Sequence, residues 1–131
     1  MKASEIDSAI RHLDKALAKI ASMLRDMRSG VITYETPSKL EEAWYQLNCC
    51  RIYTEKEVTI EGYIQSSMGN INDAKEMLDS LIAWKKGLTE YGRLSILVAL
   101  NEAISGIKLV RAELSAWLTG TTTGVLSTVI G

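Results

Sequence analysis

A seven-residue rhythm opens the chain and limits its possible folds more than any other feature. Ile6, Ile10, Leu13, Leu17, Ile20, Leu24 and Met27 are spaced 4, 3, 4, 3, 4 and 3 residues apart, which lines them along one face of a helix. Ala9, Ala16 and Met23 lie beside that seam and widen it. Only one proline occurs in 131 residues, so long helices can form without a break. Ser4 with Asp7 predicts an N-terminal box, and Ser29-Gly30 a stop. A first helix over 4–29 follows, amphipathic rather than buried all round.

The broad stripe recurs along the chain. Residues 30–36 (GVITYET) read as a loop, after which Thr36 caps a helix that Pro37 begins, predicted over 37–68. Its stripe is Leu40, Ala43 with Trp44, Leu47, Cys50, Tyr53, Ile60 and Ile64. The rhythm stutters near Cys50, and Glu57 falls where an apolar residue is due, so a bend or local unwinding is expected there. Met68-Gly69-Asn70 predicts the next turn, with Asn70 or Asn72 as cap. A third helix over 71–90 carries Ile71, Ala74, Leu78, Leu81 and Leu88, flanked by Met77, Trp84 and Tyr91, and ends at Gly87 or Gly92. A fourth over 93–118 carries Leu97, Leu100, Ile104, Ile107, Leu114 and Leu118, flanked by Ile96, Ala103, Val110 and Trp117. A stripe this wide suits a helix that touches two neighbours. The fold class is therefore all-α: an antiparallel up-down-up-down four-helix bundle over 1–118, followed by an uncharged, irregular tail over 119–131.

Composition narrows the function. Hydrophobic residues make up 47% and charged ones 24%, enough apolar surface to exclude wholesale disorder. Fifteen basic against sixteen acidic residues leave a net charge of -1, which weighs against binding nucleic acid by phosphate neutralisation. The opening residues alternate charge with apolar side chains, unlike a secretory signal. The longest apolar run, 96–100, is too short for a transmembrane segment.

Chemistry-bearing residues do not converge. Cys49 and Cys50 are adjacent, point about 100° apart on a helix, and lack zinc or redox spacing. They read as one buried small hydrophobe and one less buried thiol. Bundle enzymes that hold two metals need Glu-x-x-His pairs, but the single histidine, His12, follows Ala9 by three, so neither metal nor cofactor is expected. His12 reads as a surface or boundary side chain. Glu57, Lys85 and Arg111 fall on seam positions. Glu57 and Lys85 would come within a turn of each other in a hairpin of helices two and three, whereas Lys85 and Arg111 are expected to extend their charged ends into water. Because Phe is absent, Trp84 and Trp117 default to the core.

The candidates for interaction are aromatic and aliphatic. Trp44 and Tyr45 are neighbours and point in different directions, so one of them faces solvent or a partner; Tyr34 stands in the loop. The closing stretch TGTTTGVLSTVIG carries no charge, and Val125, Leu126, Val129 and Ile130 give it the look of a pairing strand. A frayed terminus is the other reading of the same residues.

Opening MKASEIDSAIRHLDKALAKIASML and closing AWLTGTTTGVLSTVIG, the chain resembles the major structural protein of large two-tailed, spindle-shaped viruses of hyperthermophilic, acidophilic archaea. That resemblance implies a four-helix-bundle coat protein without catalysis. Such a protein packs against copies of itself, and against other virion proteins, in the virion shell, and resides in the host cytoplasm before assembly. It brings no site residues and leaves contact with genome or lipid open. The alternative is a small regulatory or host-directed module whose apolar groove accepts a partner helix. An enzyme ranks last, because no acid, base or nucleophile is placed to act together.

Overall fold

The computed structural model describes residues 1–30, 32–83 and 90–120. Four helices follow in order: α1 (Ala3–Ser29), α2 (Thr36–Thr54), α3 (Val58–Ala83) and α4 (Glu90–Thr119). α1 packs on α2 and α4, α3 packs on α2 and α4, and the diagonal pairs barely meet. This is the expected four-helix bundle, with α1 diagonal to α3 and α2 diagonal to α4.

The ends of α1 show why it starts and stops where it does. The Lys2 N–H donates to the Glu5 carboxylate at 3.0 Å, satisfying a donor the helix leaves unpaired. The expected Ser4–Asp7 box does not form; Asp7 instead pairs with Arg11 one turn on. Gly30 ends the helix at φ 75°, a left-handed conformation in which a side chain costs about 1–2 kcal/mol. Its N–H donates back to the carbonyls of Asp26 and Met27.

The inward face of α1 is Ile6, Ala9, Leu13, Ala16, Ile20, Met23 and Met27, while Ile10, Leu17 and Leu24 are only half-buried. Two overlapping heptads share Ile6, Leu13, Ile20 and Met27, and the one carrying the alanines points to the axis. Small residues there let the neighbouring helices approach closely, and the larger Ile10, Leu17 and Leu24 then fill the edge.

A clasp carries the chain from α1 into α2. The Thr36 hydroxyl receives the Thr33 N–H at 3.1 Å and donates to Asp26 Oδ2 at 3.3 Å, while Lys39 Nζ reaches the same oxygen at 2.7 Å. Thr36 is thus the buried first residue of α2 rather than its cap, with Pro37 in the first turn as expected.

The second predicted helix, 37–68, is in fact two. The chain turns at residues 55–57, and α3 then runs unbroken through Met68, Gly69 and Asn70, where a turn was expected. Glu55, Lys56 and Glu57 are three charged residues in a row and offer the core nothing. By contrast, Ile64, Met68, Ile71 and Ala74 keep one continuous buried row. Gly69 costs a helix about 1 kcal/mol relative to Ala, less than the burial of Met68 and Ile71 returns. The predicted third helix over 71–90 is consequently the second half of α3. Gly92, a candidate terminator, lies in the first turn of α4, which starts at Glu90 and not at Arg93. Gly87 lies outside the described residues.

At the other end, α4 continues to Thr119, one residue past the predicted boundary, and Gly120 closes it at φ 78°. Its inward row is Ile96, Leu100, Ala103, Ile107, Val110 and Leu114; Leu97 and Ile104 are half-buried, and Leu118 is exposed. The residues expected as flank therefore lead the core. α3 and α4 meet closely where Gly106 faces Ser67: a Cβ on Gly106 would lie 2.5 Å from the Ser67 hydroxyl oxygen.

Candidate functional site

The predicted interaction residues divide sharply. Tyr34 is 82% exposed and Tyr45 60% exposed. Trp44, the neighbour of Tyr45, is instead half-buried and packed against the core, since the helix turn that points one outward points the other in. A hydrogen bond with the Cys49 side chain pushes the Tyr45 hydroxyl above its ordinary pKa. Val125, Leu126, Val129 and Ile130 lie outside the described residues, as do Trp84 and Lys85.

The charged seam residues resolve differently from one another. Glu57 stands in the α2–α3 turn, ahead of α3, so the hairpin in which it was to meet Lys85 does not exist. Arg111 does not simply extend into water. It forms a two-pronged pair with Asp14 that ties α4 to α1, and the second contact, from Nη2 to Oδ2, is 3.3 Å. That hydrogen bond raises the guanidinium pKa above its ordinary value.

Two polar clusters sit inside the bundle margins. His12 shares its Nδ1 with Gln46 Oε1 at 2.7 Å and stacks on Tyr53 with ring centres 6.2 Å apart. Across the α2–α3 turn, Glu61 Oε1 accepts from Arg51 and from Gln65, the latter at 3.0 Å. Its other oxygen, Oε2, is buried without a hydrogen-bond partner. Cys50 is buried and Cys49 half-buried, both free thiols. Burial, with the Glu61 charge adding to it, pushes Cys50 up to about 12, so this thiol stays protonated and poorly nucleophilic. At the far end of α4, Glu113 is buried and accepts the Trp117 indole N–H at 2.8 Å. That contact holds Trp117 half-buried against the core. Among the described residues no group of three or more His, Cys, Asp or Glu could hold a metal ion, and no helix is long and apolar enough to cross a membrane.

The feature that sequence reasoning missed lies on the outside of α4. Tyr91, Leu94 and Val98 are 82%, 54% and 58% exposed, although Ile96, Leu100 and Ala103 already bury the opposite side of α4. They are spaced three and four residues apart, and Asn101 and Ser105 extend the row. This is a second heptad seam, on the side of α4 opposite Ile96, Leu100 and Ala103. The signal is present in the spacing, but the sequence pattern places Tyr91 with the preceding helix, which hides the start of the row. Beside it, a groove of about 710 Å³ runs between α3 and α4, lined by Met77, Leu81 and Tyr91 with Asp73 and Glu76 on its acidic side. Ile52 and Val58, on either side of the α2–α3 turn, are also exposed.

No protein-family model, curated protein or solved structure matches this chain.

Proposed function

We propose that this chain is a non-catalytic structural protein that assembles with copies of itself, as a subunit of a virion shell. One observation supports it above the others: large apolar side chains stand on the outside of the bundle, on helices whose inner sides already carry buried apolar rows. Tyr91, Leu94 and Val98 form a row on α4, and Tyr45 and Ile52 stand on α2, the helix diagonally opposite. Contiguous exposed apolar surface of this kind marks a contact with another macromolecule. Copies of the chain suit that contact because a net charge of -1 leaves little repulsion between them.

Light scattering of the full chain across a concentration series tests this reading. Mass that grows with concentration is expected; a monomer at every concentration would overturn it. The second reading, a module that binds a foreign helix, draws its support from the groove lined by Met77, Leu81 and Tyr91. It expects a monomer or a simple dimer that does not grow further with concentration.

A further inference from the structure

We infer that the outer face of α4 docks on the same face of a second copy, with the two α4 helices side by side and parallel. This rests on the self-assembly reading and specifies its first contact. Tyr91, Leu94, Val98, Asn101 and Ser105 make a row that carries no charge, so identical rows can face each other without repulsion. Asn101 would meet its own copy, and an amide both donates and accepts.

The occupant and its direction follow from the charges that flank the row. The Arg111–Asp14 pair fixes the height of α4 against α1, and Gly106 against Ser67 fixes α4 against α3. Running each antiparallel pair back from its contact brings Arg25 and Arg28 of α1 to the height of residues 97–100 of α4. Asp73 and Glu76 of α3 come to the same height. Arg25 and Arg28 follow Asp14 by three and four helical turns, which keeps them on the margin of α1 that borders α4. Asp73 and Glu76 border α4 from the other side, in the groove that Tyr91 also lines. All four are exposed and have no ion-pair partner among the described residues.

The apolar row thus has two basic residues on one side and two acidic residues on the other, level with Val98. A two-fold axis parallel to the bundle sets the basic side of each copy against the acidic side of its mate, twice over. Turning one copy end for end would set acid against acid and base against base. The face is therefore complementary to itself in one direction only.

Sedimentation equilibrium on the full chain tests this with two variants, Asp73→Lys/Glu76→Lys and Arg25→Glu/Arg28→Glu. Each variant alone should dimerise on the order of tenfold more weakly than the native chain. An equimolar mixture of the two should recover the native affinity, because opposite charges again meet. If native chain associates and both variants associate equally well, this face or its direction is wrong while self-assembly stands. If native chain is monomeric throughout, the self-assembly reading falls and takes this inference with it. Circular dichroism of each variant should match the native chain, since all four positions lie outside the core.

Discussion

Gly106 is the residue on which the α3–α4 contact turns. Its helical backbone would accept any side chain, but a methyl group there would press on the Ser67 hydroxyl at 2.5 Å, with the next neighbour, the Tyr63 carbonyl oxygen, at 3.7 Å. A methyl group there also gains about 1 kcal/mol of helix propensity, so Gly106→Ala should stabilise the chain in urea by about that much in a Ser67→Ala background and clearly less in the native background, where the Ser67 hydroxyl has to turn away. Cys50 makes a second residue-scale test. Its thiol has an ordinary value of 9.0 and is pushed up to about 12 in the fold. Between those values the unfolded chain releases a proton that the folded chain keeps, so stability must fall as pH rises through that window. The slope from this one group approaches about 1.4 kcal/mol per pH unit. Native chain should show it above pH 9 as an excess over Cys50→Ala, whatever the starting stability of that variant; equal slopes would mean the thiol is not held neutral by burial.

At the scale of the helices, which of two heptads faces the axis decides the cost of a substitution. Leu13 is fully buried whereas Leu17 is half-buried at the edge of α1. Leu13→Ala should cost about 2–5 kcal/mol and Leu17→Ala clearly less, read from denaturant midpoints. Spacing marks Leu13 as buried whichever heptad turns inward, because both contain it, but it leaves Leu17 undecided, since that choice depends on how closely the neighbouring helices approach. The same limit explains the misplaced turn. Gly69 and Asn70 carry strong local signals for a break, but the buried row through Met68 and Ile71 outweighs them. The true break, at residues 55–57, announced itself only as a stutter after Cys50 and a charge at Glu57. α1 and most of α4 were legible to within a few residues because their apolar rows are long and end at a glycine. What could not be read was the pairing of charges across helices, such as Arg111 with Asp14, which are far apart in sequence and meet only once the bundle closes.

For the molecule as a whole, the four helices enclose one core and leave α4 with a second, exposed apolar row. α1 presents charge to solvent and α3 presents acid beside its groove, whereas α4 alternates a buried row with an exposed one. A helix that is apolar on two sides is expected where it serves both its own bundle and a neighbour. The row on α4 was within reach of sequence reading; the charges that flank it were not, because their common height depends on contacts between three helices. Leu94→Glu reads the central claim most directly, by comparing its mass with that of native chain at the same high concentration and its thermal unfolding beside it. The expected result is native chain as dimers or larger species and Leu94→Glu as monomers with an unchanged melting midpoint, since Leu94 lies outside the core. Equal masses for the two, or a variant that unfolds, would contradict an outer face of α4 built for a second copy.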